Sequence, residues 1–216
     1  VPSLPASSLA EIAQLCTALR GVAQGVQIDI VDGVYVPHTS WPFTETEGMD
    51  IFADMEAYTR DYLLEVDCMV QAPEQYLDRI AALSPERVCI HVGSTKAYTD
   101  IIVHAQTNGY RLGFAFTNDT PLSALYEHYD DVSYVQLMGI AKVGQQGQPF
   151  DERTLQRARA LRAEFPDLEI AVDGSVNATT MPALFAAGVN RFAPGSAIAK
   201  QADPAAAYKQ LCALVR

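Results

Sequence analysis

The stretch Val26-Gln27-Ile28-Asp29-Ile30-Val31 alternates in a way that decides the fold. Residues two apart in a β-strand share a face, so Val26, Ile28 and Ile30 form an aliphatic side while Gln27, Asp29 and Val31 form the other. A strand that carries helices on its outer side needs the aliphatic face there. Gln27 and Asp29 are thereby expected to point into the interior of a closed sheet.

Outward from this strand the chain repeats one unit. Short β-branched or aromatic runs at 1–4, 26–31, 63–70, 87–92, 111–116, 134–138, 169–172 and 191–193 read as strands. Between and after them, runs of helical period fall at 8–19, 51–60, 73–83, 97–108, 121–128, 151–164, 179–187 and 204–215. In the first helical run Leu9, Ile12, Ala13, Cys16 and Leu19 make one apolar stripe. Eight strands, each followed by a helix within roughly 200 to 250 residues, meet the requirement of a closed (β/α)8 barrel. An open doubly wound sheet is the alternative, but the Gly-x-Gly-x-x-Gly turn typical after its first strand is missing. With no linker, charge block or low-complexity tract, residues 1–216 are expected to form a single α/β barrel domain.

Composition narrows the function. Hydrophobic residues make up 49% of the chain and charged ones 19%, enough apolar matter for a sizeable core. The 26 acidic residues against 15 basic ones give a formal net charge of -11, a field that repels nucleic acid and anionic lipid. No run approaches the roughly 18 apolar residues of a membrane span, and no basic segment followed by an apolar one opens the chain. A cytoplasmic protein is expected. Val1 rather than Met comes first, so residues before it and the start of the first strand are left open. Cys16, Cys68, Cys89 and Cys212 have no Cys-x-x-Cys spacing and read as buried apolar residues rather than disulfide partners or zinc ligands.

The parity argument extends to the other strands. Leu64, Val66, Cys68 and Val70 face the helices, which turns Glu65, Asp67 and Met69 inward. By the same rule Cys89, His91, Gln136, Met138, Glu169, Ala171 and Asp173 face the barrel axis. Active sites of such barrels lie at the C-terminal ends of the strands, where Asp29, Asp67, His91, Met138 and Asp173 fall. At about 4 Å and an effective dielectric constant near 20, each pair of like charges costs about 4 kcal/mol, so three carboxylates there call for a cation or a held proton. Asp173-Gly174-Ser175-Val176-Asn177 and Gly195-Ser196 follow the seventh and eighth strands, where barrels often hold a phosphate on backbone N–H groups. Their small residues let the backbone approach an anion closely although neither segment carries a Lys or Arg.

Taken in order, these residues resemble the ribulose-phosphate 3-epimerase family across nearly the whole chain. Val1-Pro2-Ser3-Leu4 is similar to its opening Pro-Ser strand, and Asp29-Ile30-Val31-Asp32-Gly33-Val34-Tyr35-Val36-Pro37 to its Asp-x-Met-Asp-Gly-x-Phe-Val-Pro signature. Met69-Val70-Gln71-Ala72-Pro73-Glu74, Gly113-Phe114-Ala115, Thr120-Pro121, Val172-Asp173-Gly174 and Gly195-Ser196-Ala197-Ile198 follow as in the family. The resemblance implies a TIM barrel that moves a proton at C3 of a phosphorylated ketose through an enediolate. It implies Asp29 as base and Asp173 as acid, with Ser3, Asp67, Met138, Gly174, Ser175, Gly195 and Ser196 around the substrate.

Two departures stand out. The family holds a divalent metal on two His and the two Asp, and here the His positions are Gln27 and Asp67. A metal set of Gln27, Asp29, Asp67 and Asp173 is all-oxygen and suits magnesium, manganese or calcium, whereas His2Asp2 suits zinc or iron. The family's Pro-Gly-Phe-Gly-Gly-Gln loop is replaced by Lys142-Val143-Gly144-Gln145-Gln146-Gly147-Gln148. Two alternatives follow: a non-catalytic sugar-phosphate-binding barrel, and a lyase of the same superfamily. The lyases use an Asp-x-Lys-x-x-Asp strand, and Asp67-Cys68-Met69 has no such Lys. Expected partners are a phosphorylated sugar and a second copy of the chain, with no nucleic acid and no membrane.

Overall fold

The computed structural model describes residues 1–144 and 147–215. Gln145 and Gln146 of the loop after the sixth strand lie outside the described residues. Eight strands, β1 (Ser3–Leu4), β2 (Gly25–Val31), β3 (Leu63–Met69), β4 (Arg87–His91), β5 (Arg111–Phe116), β6 (Tyr134–Met138), β7 (Glu169–Asp173) and β8 (Arg191–Ala193), pair in sequence order, all parallel. Ser3 N–H donates to the Pro194 carbonyl at 3.1 Å, so β8 meets β1 and the sheet curls into a nearly closed TIM barrel.

Parity holds on every strand where it was argued. Val26, Ile28, Ile30, Leu64, Val66, Cys68, Val88 and Ile90 join the large apolar layer between sheet and helices. Val31, Met69, Cys89, Ala115, Met138 and Ala171 form a separate, smaller cluster inside the barrel. The aliphatic-out rule works because helices cover the sheet from one side only, leaving the axis as the place where a polar side chain can find partners.

The helical segments depart more from expectation. Helix α1 (Leu9–Leu19) starts where Ser8 accepts the Glu11 N–H, and Ile12, Cys16 and Leu19 are buried along the anticipated stripe. The run expected at 51–60 is a 3-10 turn over Gly48–Met55 followed by α2 (Glu56–Thr59). The run at 73–83 opens with Ala72 in the left-handed region (φ 52°), continues as a 3-10 turn at Pro73–Gln75, and becomes helical only in α3 (Leu77–Ala81). Helix α4 (Tyr98–Asn108) is as expected, but 121–128 is a 3-10 segment over Leu122–Asp131 in which Leu125 alone is buried, too few anchors to hold a regular α-helix. After α5 (Arg153–Glu164) and α6 (Met181–Ala186), an unanticipated four-residue helix α7 (Ser196–Ala199) precedes α8 (Pro204–Cys212), which Asp203 caps. All four cysteines are free, and Cys16, Cys68 and Cys89 are buried. Among the described residues no helix is long and apolar enough to cross a membrane.

Candidate active site

At the C-terminal end of the strands lies a cavity of about 370 Å³, a size suited to a small phosphorylated metabolite. Of the residues anticipated around a substrate, Ser3, Asp29, Met138, Asp173, Gly174, Ser175, Gly195 and Ser196 line it. Asp67 and Gln27 do not. Asp67 is fully buried beneath the cavity floor, and Gln27 is buried beside it. Gln148 and Asn177, from the two loop segments noted in the sequence, also line the cavity, as do His38, Ser40 and Gln201, which the sequence did not point to. No Lys or Arg is among the described lining residues, so an anion at the turns after β7 and β8 would meet backbone N–H groups and neutral side chains, away from Asp29 and Asp173 at the floor.

Local sequence explains how the walls are set. Asp32, part of the Asp-Gly signature, accepts the N–H groups of Val34 and Tyr35 on one oxygen and that of Gln71 on the other. It therefore ties the β2 and β3 loops together rather than facing a substrate. Ser40 accepts the Val31 N–H and donates to the Asp29 carbonyl, fixing the end of β2. Gly139 after β6 lies so close to β7 that a Cβ there would stand 2.0 Å from the Gly174 carbonyl oxygen. Gly174 itself has φ +97°, a conformation an L side chain resists, and Ser175 follows at φ 53°. The Ser175 hydroxyl donates to the Gln148 carbonyl, joining the loops after β6 and β7 over the cavity.

Three carboxylates gather below this mouth, with oxygens of Asp29, Asp67 and Asp173 all within 4.8 Å of one another. Asp29 accepts Gln27 Nε2 at 2.9 Å on one oxygen and the Ser3 hydroxyl at 2.7 Å on the other. Gln27 Nε2 also donates to Asp173 Oδ2 at 2.8 Å. One amide nitrogen therefore bridges the two carboxylates. Asp67 pairs through Oδ1 with His91 Nε2 at 2.9 Å and through Oδ2 with Gln136 Nε2 at 2.8 Å. Tyr35 lies over the His91 ring, with centroids 5.5 Å apart.

Burial is the main reason that Asp29 is pushed up to about 7; the Asp67 charge adds to it, and the bonds from Gln27 and Ser3 oppose it. Asp173 is driven well above the usual carboxylate range, again by burial first and then by Asp29 and Asp67. A carboxyl group in this state can hold a proton near neutral pH while a neighbour stays ionised, the division an acid–base pair needs.

The three carboxylates form a group that could hold a metal ion. Their arrangement nonetheless does not fit the family's metal. No imidazole lone pair is offered from residues 27 and 67, and an amide NH2 is not a ligand. An ionised carboxylate only accepts, so beside an ionised Asp29 Gln27 presents its NH2, and its two N–H groups are directed at Asp29 and Asp173. Both oxygens of Asp67 face nitrogen donors.

A nearly closed parallel barrel with buried carboxylates at the C-terminal ends of its strands and small-residue turns after β7 and β8 is a TIM barrel with a candidate acid–base site where such barrels carry their chemistry. The ribulose-phosphate 3 epimerase family model matches residues 1–199, and the chain belongs to that family. It is 27% identical over 216 residues to the ribulose-phosphate 3-epimerase of Bacillus subtilis, covering 96% of each chain. It is 28% identical over 209 residues to the cytoplasmic isoform of Oryza sativa, covering 94% of this chain and 88% of the relative. Among solved structures, KGPDC from Streptococcus mutans in complex with D-R5P superposes with a TM-score of 0.75 at 13% identity, covering 99% of this chain and 94% of that one. A 3-hexulose-6-phosphate synthase gives 0.73 at 19% identity, covering 99% of both chains. At such identities these two structures speak to the fold alone.

Proposed function

We propose that the protein epimerises a phosphorylated ketose, ribulose 5-phosphate or a close relative, at C3, with Asp29 and Asp173 as the proton-transfer pair. The observation that carries this reading is geometric. Two buried carboxylates from β2 and β7 meet at the floor of one cavity, their oxygens within 4.8 Å of each other. Asp29 in its ionised form removes the C3 proton, and Asp173, held protonated by burial and by the charges beside it, delivers a proton to the opposite face of the enediolate. The total charge of the pair is the same before and after, and exchange with water at the mouth resets it. Ser3 orients Asp29 through the Asp29 oxygen that Gln27 leaves free. The phosphate rests against the backbone of Gly174, Ser175, Gly195 and Ser196 at the far wall, which keeps the reacting end over the carboxylates. No step is routed through a metal.

The test is to incubate wild type, Asp29→Asn and Asp173→Asn with ribulose 5-phosphate, other ketose phosphates and an unphosphorylated ketose in deuterated water. Wild type is expected to place solvent deuterium at C3 of a phosphorylated substrate only. Epimer formation should fall by about 100-fold or more in each variant, the scale of a general acid–base contribution. Binding of ketose phosphates without any exchange would favour the non-catalytic barrel, and cleavage of a carbon–carbon bond would favour a lyase.

A further inference from the structure

Gln27 and Asp29 are two residues apart on β2 and share its inner face, but Gln27 starts one layer lower, opposite Ser3 of β1 and Glu65 of β3. Its longer side chain climbs back to the level of the carboxylates and ends with Nε2 2.9 Å from Asp29 and 2.8 Å from Asp173. A divalent ion joining these two groups would have to sit about 2.0 to 2.6 Å from an oxygen of each, in the volume the amide nitrogen fills. We propose that the Gln27 carboxamide takes the place of a resident metal in this barrel, holding Asp29 and Asp173 together by donating one N–H to each.

The residue type inverts the role of the position. An imidazole at residue 27 would direct a nitrogen lone pair at a cation, whereas the amide directs two partly positive hydrogens at the carboxylates themselves. The third carboxylate is closed in the same manner. Asp67 is inaccessible, and although an oxygen of it lies within 4.8 Å of the other two carboxylates, its two oxygens already pair with His91 on β4 and Gln136 on β6. An ion there would compete with these two donors for the lone pairs of Asp67 and would have to reach a side chain that does not open into the cavity, a cost in addition to the dehydration of the ion. Turning the Gln27 amide over would set Oε1 against the ionised Asp29 oxygen, a repulsive contact that a bound cation would relieve. Metal content therefore separates the two arrangements.

This inference deepens the epimerase reading but is read out without it. Wild type, Gln27→His and Gln27→Ala are each incubated with excess magnesium, manganese, zinc or iron(II). Half of each sample is desalted for elemental analysis, and half is melted with and without EDTA. Wild type is expected to retain under about 0.1 equivalent of any of these metals and to melt within about 1 °C with or without chelator, since an ion that binds the native state must raise its melting temperature. Gln27→His restores a lone pair and Gln27→Ala empties the space, so at least one of them should gain a chelator-reversible rise of several degrees. About one equivalent of metal in wild type, with a melting temperature that falls in EDTA, would overturn the proposal. So would folded variants that respond to no metal, because Gln27 would then not be what keeps the ion out. If wild type is metal-free but shows no deuterium exchange, the epimerase reading fails while this one stands.

Discussion

Asp173→Asn replaces one of three crowded carboxylates by a neutral group of the same shape, and it should make the fold more stable while removing activity. The Asp173 oxygens lie within 4.8 Å of those of Asp29 and Asp67. At that separation and an effective dielectric constant of about 20, ionising Asp173 beside one charged neighbour costs about 3 kcal/mol, so at pH 8 the folded state bears either that repulsion or a comparable cost of keeping the proton. Losing the charge-assisted part of the bond from Gln27 offsets roughly 1 kcal/mol of the relief. The net gain is then about 2 kcal/mol at pH 8, which for a chain of this length raises the melting temperature by roughly 4 to 8 °C. The gain must depend on pH in a definite sense. Asp29 and Asp173 are raised in the folded state, so their contribution to stability is fully present below the ordinary carboxylate pKa and is lost as pH rises through the folded value, about 7 for Asp29. At pH 5 Asp29 is mostly protonated, its repulsion is already absent, and the advantage of Asn should shrink to under about 1 kcal/mol. Urea unfolding of wild type and variant at both pH values, with EDTA present, measures the difference. A variant destabilised by more than about 1 kcal/mol at pH 8 would refute the reasoning, because Asp173 would then be stabilised as an anion by its donors or by a cation.

Two further changes probe the frame around the site. Gly139→Ala would drive a methyl group into the Gly174 carbonyl; we expect a loss of about 3 kcal/mol in chemical denaturation, with weaker phosphate binding by calorimetry because the β7 turn must move. Glu169→Ala removes the carboxylate that Arg87 and Arg111 share at the opposite end of the barrel. Its loss should lower stability by about 2 to 4 kcal/mol at pH 7 and leave deuterium exchange at C3 within about twofold, since the site lies at the other strand ends.

Strand parity made the barrel interior legible because each strand has a period of two and a single apolar layer outside it. That rule placed Gln27, Asp29, Asp67, His91, Gln136 and Asp173 on the axis from residue types alone. It also covers Arg87, Arg111 and Arg191, each in phase with an inward residue of its strand, yet their charge concealed them as candidates for an interior position. What parity does not carry is height. The resemblance implies metal ligands at residues 27 and 67, but whether such side chains open into the cavity or bond to their neighbours depends on side-chain length and on which donors stand opposite. Helix type was hidden for a related reason: a 3-10 segment such as Leu122–Asp131 and an α-helix share similar apolar spacing over one or two turns, and the depth of packing chooses between them. His38 was missed because it belongs to a loop, where neither period applies.

The interior polarity is layered, and the layering explains why acidic groups persist at its mouth. At the N-terminal end of the strands Glu65 and Glu169 meet Arg87, Arg111 and Arg191, so each charge there has an opposite partner. At the other end, among the described residues, Asp29, Asp67 and Asp173 have no Lys or Arg hydrogen-bonded to them; Gln27, Gln136, Ser3 and His91 supply the donors. Around Asp29 and Asp173 the neutral donors Gln27 and Ser3 satisfy lone pairs without neutralising charge, which leaves a carboxyl group able to take up or release a proton at modest cost. A guanidinium in the same place would hold both Asp29 and Asp173 as permanent anions and end their use as an acid–base pair. The amide at residue 27 therefore does two things a cationic side chain could not do together: it fixes the distance between the two carboxylates and leaves the proton between them free to move.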